Sequence, residues 1–389
     1  MYDFIDFTRG TNFYLNLYCF LLYCFLLLVS LRGNVVGINE QESYRGRTIL
    51  LSCGLLLFAL TSFIGADFFH CYENMGAYKN QAFGDQERGL EAFYQYLIYF
   101  VNGDYFLFRL VVWGSSLVLI ILAARKFGAN IYHTLFVILA GFIITYSYAR
   151  ATLAMSVFFM GVVIICMAVE NKRKFLPIII GSAIVACSTY FHRSMLPMMA
   201  VALFWLLLPW KKRLTKYSLW LFPVVVLIFS VILKAAFGEM FTIASAVDDE
   251  MGVLDKAEFY SEQEVKEQNV NGYIRLTLQY LTYYLPMLLI SNAFRSDKLL
   301  QIVDNKAIWL YQMIYLIFAF ATSFLSLDID STVMFYRYLF MAFIPLSILV
   351  VYMKNIGALK TKQYYWIIAV FIASNFLQMF VDVYGLSKV

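Results

Sequence analysis

Lys172-Arg173-Lys174-Phe175-Leu176-Pro177-Ile178-Ile179-Ile180-Gly181-Ser182-Ala183-Ile184-Val185-Ala186-Cys187-Ser188-Thr189-Tyr190-Phe191-His192-Arg193-Ser194-Met195-Leu196-Pro197 is the stretch that decides the fold. Three basic residues precede an apolar run long enough to cross a bilayer as a helix. An imidazole, a guanidinium and a hydroxyl follow in consecutive positions, and a second apolar run begins at once. A polar triplet pinned between two membrane spans is costly unless it faces water, a partner or a substrate, so His192, Arg193 and Ser194 are read as functional.

The same pattern extends in both directions. Of the 389 residues, 62% are hydrophobic, 19% aromatic and only 14% charged, and the mean hydropathy is +0.72. Apolar runs of roughly 18 residues recur along the chain, the length that crosses about 30 Å of hydrocarbon. They lie near 12–31, 48–66, 105–124, 130–146, 151–169, 175–191, 195–209, 217–237, 273–293, 307–327, 333–353 and 364–383. The expected fold class is therefore all-α, a polytopic integral membrane protein of about 12 transmembrane helices with two longer outer-face loops, forming a single domain over 1–389. The first run is too long for a signal-peptide core and lacks a small-residue cleavage site, so it reads as a retained span. Five of the six cysteines fall inside expected helices, which argues against a disulfide framework and against metal binding by cysteine.

Charge gives the orientation. The loops after odd-numbered spans, including Arg45 and Arg47, Arg125 and Lys126, Lys172 to Lys174 and Lys211 to Arg213, hold 18 of the 30 Lys and Arg but only five acids. By the positive-inside rule these loops are cytoplasmic and both termini are outside. The opposite face is acidic, and nothing in the balance suggests nucleic acid. Two outer segments are long. The 67–104 loop contains an amphipathic aromatic stretch from Glu87 to Phe100 suited to the membrane interface. The 238–272 loop is acidic, with Asp248, Asp249, Glu250, Asp255, Glu258, Glu262, Glu264 and Glu267.

The exceptions to the rule are informative. Arg150, His192 with Arg193, and Arg337 fall at outer turns, and Arg109, Lys234 and Arg275 fall near outer helix ends. One arginine at a helix end is a snorkelling anchor. Several at one depth make a site for an anion, and a guanidinium fork matches phosphate oxygens. Asp67, Glu91 and Tyr94 join them, Glu91 and Tyr94 one helical turn apart on a shared face. A carboxylate there is either a counter-ion or a base, and His192 has the intrinsic pKa suited to a base near neutrality. Asp328-Ile329-Asp330 resembles a metal-binding Asp-x-Asp but faces outward as a solvated turn, and His70 with Cys71 lacks the companions a metal needs. The absence of a phosphate-cradling glycine loop argues against an ATP-driven pump.

Ile64-Gly65-Ala66-Asp67, Glu91-Ala92-Phe93-Tyr94, Arg150-Ala151-Thr152-Leu153-Ala154, Phe191-His192-Arg193-Ser194 and Arg337-Tyr338 resemble, in order and topology, the pattern of the EpsG family of bacterial exopolysaccharide and capsule clusters, which is similar to Wzy-type repeat-unit polymerases. One position departs: His70 stands where the family has a tyrosine, and the nearest tyrosine is Tyr72. The resemblance implies an inverting, metal-independent glycosyl transfer without cofactor at the outer face of the bacterial inner membrane. The growing glycan on undecaprenyl pyrophosphate is the donor, and a sugar hydroxyl of a new lipid-linked repeat unit is the acceptor. It further implies Arg150 and Arg337 on the pyrophosphate, His192 or Asp67 as the group that activates the hydroxyl, and Glu91 and Tyr94 orienting sugar; Glu91 as a further catalytic carboxylate, Arg193 on the pyrophosphate and Ser194 on sugar complete the expected site. The implied partners are the undecaprenyl-pyrophosphate-linked oligosaccharide, the bilayer, and the chain-length regulator and flippase of the same pathway. The competing reading is a flippase or transporter of lipid-linked oligosaccharides. Transporters place ionisable residues near the midplane, which is nearly free of charge here. An acyltransferase would need a reactive histidine facing a channel, and His133 is isolated.

Overall fold

The structure, a computed structural model, describes residues 13–35, 41–61, 91–141, 149–170, 175–192, 194–207, 215–244, 270–326 and 332–384. These residues form α-helices α1 (Phe13–Val35), α2 (Gln41–Thr61), α3 (Ala92–Phe100), α4 (Tyr105–Phe127), α5 (Ile131–Gly141), α6 (Ala149–Glu170), α7 (Leu176–Phe191), α8 (Met195–Leu207), α9 (Ser218–Ala244), α10 (Val270–Arg295), α11 (Asp297–Ile302), α12 (Asn305–Ser323), α13 (Thr332–Met341), α14 (Phe343–Asn355) and α15 (Thr361–Tyr384). No strand occurs among the described residues. A helix lies on each of the twelve expected stretches. Five described segments are long and apolar enough to cross a membrane: Tyr105–Phe127, Arg150–Glu170, Ser218–Ala235, Asn305–Ser323 and Tyr338–Asn355. The apolar helices α5, α7 and α8 are shorter than that.

Local chemistry sets the helix ends. The Asp104 side chain accepts the Leu107 N–H at 3.0 Å to start α4. At the other end of α4 Arg125 and Lys126 fall in the last turn, where helix polarity favours positive charge, and Gly128, at φ 88°, closes it in the left-handed conformation that a side chain would strain. Pro177 sits in the first turn of α7, where its missing N–H costs nothing. The expected single span over 333–353 is broken at Ala342 into α13 and α14. Pro345 explains the break, because its ring would press on the carbonyl of Met341 in an unbroken helix.

The centre is made of α5, α12 and α14. Residues Tyr132 to Ala140 of α5 are all buried, as is nearly every residue of α12 and α14. Helices apolar all round belong inside a bundle. Several polar groups that α12 carries inward are bonded: Tyr311 shares a 2.8 Å hydrogen bond with Ser218, Tyr315 donates to the Ser218 carbonyl, and the Gln312 amide nitrogen donates to Thr215 at 3.1 Å. Around this centre α6 packs most closely against α7 and next against α4. At the far end of α6, Glu170 accepts the Lys306 backbone N–H at 3.1 Å. This carboxylate meets the first turn of α12, where helix polarity favours negative charge.

Arg109, grouped by sequence with the cations of the outer ends, has a different role. It is only 2% exposed, and its guanidinium donates to the Ala59 carbonyl near the end of α2 while lying 5.8 Å from the Tyr105 ring centre. It ties α4 to α2. Hydrogen bonds to charged groups contribute about 1.5–3 kcal/mol, so Arg109→Ala should lower the detergent-solubilised protein's melting temperature by several degrees. An unchanged melting temperature would show that the tie contributes nothing.

Candidate functional site

The site begins with the backbone of Glu91. It is extended (φ −63°, ψ 141°) and starts α3, its carbonyl accepting the N–H groups of Tyr94 at 2.9 Å and Gln95 at 3.3 Å. A carboxylate at this position ordinarily folds back onto the first-turn N–H groups of its own helix. The Glu91 side chain makes no such bond. It reaches across to two other helices instead. Oε2 accepts from Arg150 Nη1 at 3.1 Å, and Oε1 lies 3.1 Å from His192 Nδ1. Arg150 is the second residue of α6, and His192 is the extended residue that ends α7, its N–H bonded to the Ser188 carbonyl.

Tyr94, fully buried one turn into α3, supports the same arginine twice. Its hydroxyl donates to the Arg150 carbonyl at 2.9 Å, and its ring centre lies 5.9 Å from the guanidinium carbon. Phe93 packs edge-on against Phe191 at 4.6 Å, and Tyr94 packs on Phe108 of α4 at 5.9 Å. The ionic cluster therefore has an aromatic floor. Glu91 is 7% exposed, whereas Arg150 and His192 keep 21% and 19% of their side chains open. The cations, not the carboxylate, present the accessible surface.

Burial by itself would raise the Glu91 carboxyl. The hydrogen bond and charge of His192 and the charge of Arg150 outweigh it and hold the group at about 2. An ionised carboxylate can only accept, so the proton of the shared contact belongs to His192 Nδ1. The Ser194 backbone N–H approaches the same nitrogen at 3.4 Å and is then a contact rather than a bond. The Ser194 hydroxyl is buried and has no hydrogen-bond partner among the described residues.

Of the residues singled out by sequence, Glu91, Tyr94, Arg150, His192 and Ser194 come together at one end of α6 and α7. Asp67, Arg193, His70, Cys71, Asp328, Asp330 and the 245–269 part of the acidic loop lie outside the described residues, as do the side chains of Arg275 and Arg337, although the backbones of these two lie in α10 and α13. Phe93 and Phe191 were visible as members of the short motifs, but their contact with each other was not. His133 is elsewhere, buried between the rings of Tyr132 and Tyr364. Cys24, Cys53, Cys166 and Cys187 are free, and among the described residues no three His, Cys, Asp or Glu side chains gather as metal ligands would.

Apolar helices long enough to span a bilayer, with an ion-paired cluster at the end of one of them, α6, where the shorter apolar helix α7 also ends, define a membrane protein whose polar chemistry is held at helix ends. The chain belongs to the EpsG family, whose family model matches residues 47–386, nearly the whole length. Membership implies a Wzy-like polymerase of polysaccharide biosynthesis, with glycosyltransferase-type activity. No curated protein and no solved structure matches the chain.

Because Glu91 titrates lower in the fold than the ordinary 4.5, its stabilising contribution is complete above that value and is lost as pH falls through about 2. Wild-type protein should therefore lose melting temperature more steeply than Glu91→Gln as pH is lowered from about 4.5 to about 2. Parallel curves would show that the two cations do not hold the carboxylate.

Proposed function

We propose that the protein is a polysaccharide polymerase that joins undecaprenyl-pyrophosphate-linked repeat units on the outer face of the bacterial inner membrane, through a bundle of about twelve spans. The observation that carries this reading is the bridge His192–Glu91–Arg150, which sets a base beside a cation. With Nδ1 bound to Glu91, His192 Nε2 takes the proton of the acceptor sugar hydroxyl as that oxygen bonds to the anomeric carbon of the donor. The bond from the anomeric carbon to the pyrophosphate oxygen breaks, and its electron pair leaves with undecaprenyl pyrophosphate. Arg150, open over a fifth of its side chain, meets the negative charge that grows on the leaving group, and Arg337 and Arg193 join it. One displacement on the face opposite the leaving group inverts the anomeric centre.

Glu91 is a positioning residue in this scheme. A carboxyl held at about 2 is too weak a base for work near neutrality, whereas it fixes the imidazole tautomer and stabilises the imidazolium once the proton has moved. Asp67 is the second candidate for the base. Tyr94, fully buried, acts through Arg150 on the pyrophosphate, and Ser194, whose buried hydroxyl has no partner among the described residues, is the candidate for a sugar contact.

Purified protein supplied with a synthetic undecaprenyl-pyrophosphate repeat unit should make a ladder of longer glycans and release undecaprenyl pyrophosphate. No ladder, together with accelerated scrambling of the lipid in liposomes, would replace the polymerase with a flippase. His192→Ala should slow extension by about 10²-fold or more, the usual contribution of a general base. Arg150→Ala should slow it by about 10²–10³-fold, as the loss of one electrostatic donor does. Full activity in folded His192→Ala would transfer the base to Asp67.

A further inference from the structure

Glycine is disfavoured inside a helix, so two glycines facing each other across the closest helix pair require a reason. Gly161 of α6 and Gly181 of α7 are such a pair. A β-carbon on Gly161 would lie 2.6 Å from the Gly181 carbonyl oxygen, 2.9 Å from Val185 Cγ2 and 3.0 Å from the Val185 nitrogen. A β-carbon on Gly181 would lie 2.6 Å from Ile165 Cγ1 and 2.8 Å from the Gly161 carbonyl oxygen. The obstacle on both sides includes backbone, which no rotamer change can remove. Small residues at a membrane helix crossing let two backbones approach this closely.

The crossing is matched to the site. Gly161 follows Arg150 by eleven residues, and Gly181 precedes His192 by eleven residues. With a rise of about 1.5 Å per residue, both arms run roughly 16 Å back to the same level, one on each antiparallel helix. Arg150 and His192 end on the two oxygens of the same carboxylate, each at 3.1 Å. Sliding or separating the helices by an ångström would break one of these contacts.

We propose that the Gly161–Gly181 crossing is the positioning element of the site, fixing the spacing and register of α6 and α7 so that Arg150 and His192 converge on Glu91. Its consequence for glycan extension rests on the polymerase reading, but the geometry can be read without it. The chain has three histidines, His70, His133 and His192, so nitrogen-15 NMR of histidine-labelled protein in detergent resolves His192, assigned with His192→Gln. Glu91→Gln supplies the signal of the broken contact.

In Gly161→Ala and Gly181→Ala the His192 signal should move from its wild-type position towards that in Glu91→Gln, while the His133 signal stays in place and extension falls by about 10²-fold, as a misplacement of about 1 Å can cause. Gly114→Ala, where an added β-carbon meets nothing within 4 Å, and Ile165→Ala, which leaves both backbones as they are, should keep the wild-type His192 signal. An unmoved His192 signal in either folded glycine variant would overturn the proposal, as would equal displacement of His192 and His133. Failure of both glycine variants to fold, with Ile165→Ala and Gly114→Ala intact, would overturn it too by making the crossing a requirement of folding instead of register. A moved His192 signal in a protein whose wild type makes no ladder would retain the positioning role and remove only the polymerase reading.

Discussion

A carboxylate nearly shut off from water stays ionised only with partners against it, and Glu91 has Arg150 on one oxygen and His192 on the other. The arrangement binds three segments that sequence separates widely, the start of α3, the start of α6 and the end of α7. Removing either partner leaves a buried charge half compensated, a change that typically costs about 3–5 kcal/mol, whereas replacing all members together with apolar groups need cost nothing. Ion pairing of this kind is therefore a poor way to gain stability. It is a good way to hold an imidazole and a guanidinium at a fixed separation.

The position of α6 follows from constraints at both of its ends and at its middle. Arg150 is held by Glu91 and by the Tyr94 hydroxyl, and Glu170 is held by the first turn of α12. Asp304 beside that turn bonds to the Tyr352 hydroxyl and pairs with Lys306 at 3.4 Å, and the Lys306 ammonium lies 4.8 Å from the Tyr352 ring centre. The helix is thus fixed lengthwise against the buried centre. Gly161 then lets α7 come close along its side. The site sits at the end of this closely packed helix pair, which suits chemistry that depends on placement.

The sequence carried the parts of this arrangement that depend on residue type and short spacing. The helical stretches and the shared face of Glu91 and Tyr94 are legible, because apolar periodicity and charge placement are local properties. The two residues of that face do meet one target, Arg150. What a side chain touches across fifty residues was not legible. Arg109 carries the same signal in sequence as Arg150, a cation near a helix end, yet one is closed over by Tyr105 and spent on the Ala59 carbonyl while the other remains open. Gly161 and Gly181 read as ordinary glycines in apolar runs, since only the crossing of their helices shows what a methyl group would strike. The break at Ala342 had a local signal in Pro345, which the apolar continuity of 333–353 concealed.

The charge of the cluster also bears on how the proposed reaction would proceed. The bridge holds one carboxylate between a guanidinium and an imidazole. Proton transfer to Nε2 adds a positive charge to His192 while the departing pyrophosphate gains a negative one beside Arg150. Glu91 lies between the two and interacts with them in opposite senses, favouring the imidazolium at 3.1 Å and opposing the phosphate from behind the arginine. The shorter distance wins, because Coulomb energy falls with separation and the guanidinium screens the second interaction. In the proposed reaction, a carboxylate in direct contact with the base and masked from the leaving group would assist proton removal at little cost to pyrophosphate binding, a division that fits the greater exposure of Arg150 than of Glu91.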